Sequence, residues 1–186
     1  MSIPEIMELA EKKMNISIEV LQRELGAIRT GRASTAIIEH VRVDYAGVPT
    51  PVHHLANVSV PDARMLLIQP WDRTMMGKIE KAIMKSDLGL TPSNDGQVIR
   101  LSIPPLSQER RVELTKMVHK RVEDDKVAIR NLRREAVEHI KKLEKDKELS
   151  QDESKRAQDA VQKLTDGYVL KADQLGQEKE EELLKV

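Results

Sequence analysis

Three arginines within one short stretch, Val127-Ala-Ile-Arg-Asn-Leu-Arg-Arg134, are the side chains of this sequence best suited to chemistry. Read as a helix, the stretch groups Arg130, Arg133 and Arg134 on one face, because residues three and four apart are neighbours there. Ile129, Leu132 and Ala136 line another face. A guanidinium carries planar donors that match a phosphate bidentately. A stiff helix presenting three of them is a candidate for gripping a nucleic-acid backbone. The alternative is a solvated charged face, and the stripe alone does not separate the two readings.

Other chemistries find little support. There is no Cys, so no disulfide framework and no thiol nucleophile, which fits a reducing, cytoplasmic setting. Gly26 to Gly31 lacks the Lys-Ser/Thr that a phosphate-cradling loop needs. In a strand, His53 and His54 would diverge, and further ligands at metal-binding spacing are lacking, so no metal is expected. Glu123, Asp124 and Asp125 resemble an acid cluster, but adjacent helical residues do not face each other, so a solvated face is expected instead of acid/base work. No catalytic residue and no cofactor is expected. Trp71 reads as an anchor in or on a domain core, and the methionines as core filler. With one Trp, two Tyr and no Phe, the chain lacks the aromatic platforms of base-stacking RNA readers. No apolar run approaches a membrane span, and Met1-Ser-Ile-Pro-Glu-Ile-Met-Glu has neither a signal-peptide nor a transit-peptide pattern.

The 186 residues carry 31 basic and 31 acidic side chains, but the balance is uneven along the chain. Residues 110–147 hold 13 Lys/Arg against 8 Asp/Glu, and residues 148–186 hold 6 against 10. A basic helix beside an acidic one suggests one basic side to the folded molecule; mutual neutralisation of the two would give the same counts.

Three long helices must position the arginines. The first runs from about Ser2, a capping box with Glu5, to about Thr30, with Met7, Met14, Leu21 and Ile28 recurring at seven. Gly31 stands where a helix-ending positive φ is expected. The second begins at Ser107 after Pro104-Pro105, with the seam Leu114, Val118, Val122, Ile129, Leu132, Ala136, Ile140 and Leu143; Asp125 interrupts it without a sequence-level reason. The third begins at Ser150, a second capping box with Glu153, and continues through Ala157, Val161, Leu164, Tyr168, Ala172, Leu175 and Leu183, weakened by Gly167 and Gly176. A short link around 147–150 makes the last two antiparallel.

Residues 32–104 differ in texture. They hold six of the eight prolines, β-rich runs at 41–45, 58–60, 65–68 and 98–103, turn signals at Ala46-Gly47 and Asn94-Asp95-Gly96, and helical spacing over 74–86. The organisation is therefore α+β: a discontinuous three-helix bundle, 1–30 and 106–186, with a small α+β domain, 31–105, inserted. Thr30, Gly31 and Arg32 on one crossing, and Ile103, Pro104, Pro105 and Leu106 on the other, are where a hinge would lie.

Several motifs together carry a family resemblance. Arg29-Thr-Gly-Arg-Ala-Ser34, Asp44-Tyr-Ala-Gly-Val-Pro-Thr-Pro51, Ile79-Glu-Lys-Ala-Ile83 and Ser86-Asp-Leu-Gly-Leu-Thr-Pro92 come first. Pro104-Pro-Leu106, Glu109-Arg-Arg111, Val127–Arg134 and Gln162-Lys-Leu-Thr-Asp166 follow. In that order and spacing the chain resembles the ribosome recycling factor family over essentially its whole length. It departs at Ala46, where an aromatic is usual, and at Thr91, where Asn is usual. The resemblance implies an L-shaped molecule of a three-helix bundle and a β/α/β domain joined by a flexible hinge, with no catalysis of its own. It implies action after termination: on the large ribosomal subunit, with elongation factor G hydrolysing GTP, the protein splits the ribosome and frees messenger RNA and deacylated tRNA. Carried onto this sequence, the rRNA contacts are Arg29, Arg32, Arg130 and Arg133, followed by Arg110, Arg111 and Arg134. We expect a monomer that acts in the cytoplasm without a membrane. A coiled-coil interaction module without an RNA role, and an enzyme built on residues 32–104, are the competing classes; a steep salt dependence of RNA binding favours the first reading.

Overall fold

The computed structural model describes residues 1–185. These form two compact units, one of residues 1–29 and 108–185, the other of residues 30–107. The two crossings thus fall one residue before and two residues after the ends of the 31–105 segment.

The first unit is an all-helical bundle. Helix α1 (Ile3–Gly26) opens with a complete capping box: the Glu5 N–H donates to the Ser2 hydroxyl at 3.4 Å, and the Ser2 N–H donates to the Glu5 carboxylate at 2.7 Å. It ends four residues before the expected Thr30. Gly31 does hold φ +76°, but in the segment after the helix and not as its cap. Helix α3 (Gln108–Lys145) spans 38 residues and α4 (Gln151–Leu184) 34. Between them Lys147 takes φ +62°, and the Glu148 N–H reaches back to the Leu143 carbonyl at 2.9 Å, a Schellman-type closure made without glycine. The capping box of Ser150 and Glu153 then starts α4. Ile6, Ala10, Ala136, Ile140, Ala157 and Val161 form a buried cluster contributed by all three helices.

Gly176 has a packing role besides its low helix propensity: it is a close contact of α4 with α3, where a Cβ would lie 2.6 Å from Cγ2 of buried Val122. Val is stiff at χ1, so it cannot turn aside cheaply. Gly176→Ala gains about 1 kcal/mol of helix propensity but is expected to lose more to overpacking, about 1–3 kcal/mol. The melting temperature should fall by a few degrees. Adding Val122→Ala should recover part of that loss. A Gly176→Ala protein that melts at or above the parent temperature would show that the helices separate freely there.

The second unit is a small α+β fold. Strands β1 (Arg42–Tyr45) and β2 (Val48–Pro51) form a two-stranded antiparallel ribbon, turned by Ala46 at φ +51° and Gly47 at φ +83°. Strands β3 (Ala56–Asp62), β4 (Met65–Pro70), β5 (Pro92–Asn94) and β6 (Ile99–Ser102) make a four-stranded antiparallel sheet in the order β3-β4-β6-β5. Helix α2 (Met76–Lys85) lies between β4 and β5 in the chain, entered by a 3₁₀ turn at Arg73–Met75 that Asp72 caps. The core joins Val43, Val52, Leu66, Ile68, Met76, Ile79, Ile83, Ile99 and Leu101. β2 and β5 escaped the sequence reading because Pro49, Pro51 and Pro92 argue against strands. Here they sit on a ribbon and at a sheet edge, where a missing N–H is tolerated. Trp71 is 68% exposed, and Met84 and Met117 are exposed rather than core filler. The two departures from the family pattern, Ala46 and Thr91, are both exposed.

The crossing segments of this unit are tied to one turn. The Ala33 N–H donates to the Ala63 carbonyl at 2.7 Å and the Ile103 N–H to the Arg64 carbonyl at 2.8 Å. Gly31 packs so closely on Leu106 that a Cβ would lie 3.0 Å from its Cγ. Positive φ and this contact together account for glycine at position 31.

Candidate nucleic-acid interface

The bundle sorts its basic residues into paired and unpaired sets. Lys126 of α3 is held by Asp173 of α4 at 2.7 Å and by Glu123 at 3.2 Å. These partners, Asp173 foremost, raise its pKa above the ordinary lysine value. Arg121 pairs with Glu24 of α1 at 3.2 Å, Lys13 of α1 with Glu135 at 3.0 Å, and His119 contacts Glu180. Neutralisation between helices is therefore real along part of α3. It does not reach the two outer arginines: among the described residues Arg130 and Arg134, both exposed, have no hydrogen-bond or ion-pair partner.

Arg133 is different. It is half-buried, and its Nη1 donates to Oε1 of Gln162 on α4 at 3.2 Å. Gln162 in turn donates from Nε2 to Oδ1 of Asp166, one helical turn on, at 2.8 Å. This relay fixes one guanidinium against α4 beside two free ones. Sequence reasoning missed Gln162 and Asp166 as supports. Their signal was present in the i, i+4 Gln–Asp spacing, but nothing local said that α4 would bring them to Arg133.

The remaining arginines do not join this group. Helices α1 and α3 run antiparallel, as the Lys13–Glu135 and Glu24–Arg121 pairs fix. Arg130 lies nine residues beyond the Arg121 level, about 13 Å along α3, and Arg29 follows α1 at the opposite end. Arg29, exposed, belongs instead to the end of the bundle where α3 starts with Arg110 and Arg111. There Arg110 bonds Glu113 at 2.9 Å, and half-buried Arg111 leaves Nε buried without a partner among the described residues. Arg32, exposed, belongs to the second unit.

Two further expectations are corrected. His53 and His54 do not diverge: they lie in a 3₁₀ turn following Pro51, where the rings meet edge to face at 4.3 Å. Among the described residues no cluster of three metal-ligating side chains includes them. Asp125 does not share the solvated face of Glu123 and Asp124. Its place in the seam points it at α1, where the Ser17 hydroxyl donates to Oδ1 while Oδ2 has no partner among the described residues. Only 9% of Asp125 is exposed. Burial raises its pKa, the Ser17 bond opposes this, and the Glu24 charge adds to the rise. A carboxyl whose folded pKa is raised binds its proton more tightly in the native state. Its ionisation therefore weakens the fold as pH rises from the ordinary carboxylate value through the folded one. Asp125→Asn should stabilise the bundle at neutral pH by about 1 kcal/mol, with the gain vanishing as pH falls toward 4. Melts of both proteins across that range check the sign; a gain that grows on acidification refutes it.

Fold and site define a class: a two-unit α+β protein with a long helical bundle that carries an exposed arginine face, and with a separate small sheet domain. The profile of the ribosome recycling factor family matches residues 21–184. The ribosome-recycling factor of Dehalococcoides mccartyi is 61% identical over 184 residues, covering 99% of this chain and all of that protein. That of Oleidesulfovibrio alaskensis is 54% identical over 176 residues, 95% of this chain and 96% of its own. Among solved structures, a solution structure of the ribosome recycling factor aligns with TM-score 0.77 at 42% identity, covering 100% of this chain and 99% of that one. The T. thermophilus ribosome recycling factor, described with E. coli elongation factor G bound to the E. coli post-termination complex, aligns with TM-score 0.66 at 46% identity over 99% of this chain and 100% of its own. The chain belongs to the ribosome recycling factor family. No helix among the described residues is long and apolar enough to cross a membrane.

Proposed function

We propose that this chain recycles ribosomes after termination by seating its bundle on large-subunit rRNA. From there, with elongation factor G and GTP, it splits the ribosome into subunits and so releases messenger RNA and deacylated tRNA. The observation that carries this is the free Arg130–Arg134 pair beside Arg133, in a family with a member described on a post-termination complex with elongation factor G. Exposed guanidiniums without acid partners are available to phosphate. Arg133, held by Gln162, needs little further ordering to engage one, which lowers the entropic cost of contact. Arg29, Arg110 and Arg111 extend the contact at the other end of the bundle, and Arg32 adds one from the small unit.

The chain itself performs no catalysis in this reading: GTP is hydrolysed by elongation factor G, and a monomer in the cytoplasm suffices. The bundle supplies a stiff lever. The two crossings, Arg29 to Thr30 and Ser107 to Gln108, next to the Thr30–Arg32 and Ile103–Leu106 segments, act as the hinge on which the small unit swings when the GTPase pushes it. Light scattering of purified post-termination ribosomes is the direct test. A fall in scattering is expected only when chain, elongation factor G and GTP are all present. No fall in the complete mixture, or an equal fall without the GTPase, defeats the assignment.

A further inference from the structure

We propose that the exposed face of α2 is a second contact surface for RNA phosphates, carried by the small unit and separate from the arginines of the bundle. Lys78, Lys81 and Lys85 are all exposed, and none has a hydrogen-bond or ion-pair partner among the described residues. At 3.6 residues per turn they fall within about 60° of arc and span about 10 Å along the axis. That length spans a few successive phosphates of one strand.

Five of the seven acids of this unit are committed elsewhere. Asp44 accepts from the Gly47 N–H, Asp62 from Arg64, Asp72 from Thr74, and Asp95 from Gln97, Val98 and the Arg100 guanidinium. Glu80, the one acid on α2, turns to Asn94. Glu39 and Asp87 remain, both exposed, and neither forms an ion pair with Lys78, Lys81 or Lys85.

The chemistry of the stripe selects the partner. It offers donors and no acceptor, so it complements a polyanion. Lysine is depleted at the cores of protein–protein interfaces, which favour aromatic and arginine anchors that this stripe lacks. Ammonium groups that position a backbone without reading bases suit RNA phosphates.

The test uses the full chain. Binding to an RNA duplex and to purified large ribosomal subunits is followed by salt titration for the parent and for a variant with Lys78→Ala, Lys81→Ala and Lys85→Ala. The salt slope should flatten by about two to three units, with at least a tenfold loss of affinity at low salt. A variant with Lys78→Arg, Lys81→Arg and Lys85→Arg should retain parental binding, which excludes a folding defect. A control of equal charge change on the bundle, Lys12→Ala with Lys145→Ala and Lys155→Ala, should leave the slope near the parent's. Unchanged slope in the α2 variant, or an equal loss in the control, overturns the proposal. So does an α2 variant that loses only an oligoglutamate peptide probe while keeping RNA, which would make the partner an acidic protein. Because Arg130→Ala with Arg134→Ala is titrated alongside, loss of RNA binding in the lysine variant alone would support this surface while counting against the arginine face.

Discussion

Arg130→Ala combined with Arg134→Ala should weaken binding to the large ribosomal subunit by about tenfold per arginine, the worth of one charge-assisted contact each. Both side chains are exposed and unpartnered, so their removal should shift stability by no more than about 0.5 kcal/mol. Each lost phosphate contact should also flatten the salt dependence by roughly one unit. Arg133→Ala should act as strongly on binding, at some extra cost in packing because the side chain is half-buried. Gln162→Ala should act in the same direction but more weakly, since it frees Arg133 without deleting it. In a double-mutant cycle, the effect of Gln162→Ala should disappear once Arg133 is gone. Parental affinity across the titration in the Arg130/Arg134 variant would remove the arginine face from the mechanism.

Excising the small unit should abolish recycling while leaving the bundle's own share of large-subunit binding in place. Residues 1–29 joined through a short Gly/Ser linker to residues 108–185 keep all three long helices and the cluster around Ile6, Ile140 and Val161. The shortened protein should unfold cooperatively and bind the large subunit with the parental contribution of Arg130, Arg133 and Arg134. It should not split ribosomes with elongation factor G and GTP, because nothing remains for the GTPase to swing. The only Trp, Trp71, leaves with the excised unit, so loss of Trp fluorescence verifies the deletion. Splitting at the parental rate would make the two crossings a mere connection.

The long helices were legible because their signals are local. The seam of Leu114, Val118 and Ile129 and the two capping boxes state helix and boundary in adjacent residues. What stayed hidden depends on residues far apart in sequence. Asp125 breaks the seam of α3 for no reason visible there, and the reason is Ser17, 108 positions away. Gly176 looked like a flaw because its use lies in Val122. The arginines could be named from their stretch. The distinction between the two free ones and the one tied to Gln162, and the separation of Arg29 from them, needed the helix register.

The bundle's discontinuity also shapes how the chain is made. Helix α1 is synthesised first, yet its packing partner α3 is complete only at Lys145, about 120 residues later. At 5–20 residues per second that is a wait of about 6 to 24 s. Throughout it the stripe of Ile6, Met14, Leu21 and Leu25 has no bundle to close on. The small unit, contiguous from Thr30 to Ser107, can reach its fold during the same interval. Nascent α1 is consequently the segment most in need of a holding chaperone, and the sheet domain matures ahead of the lever it is attached to.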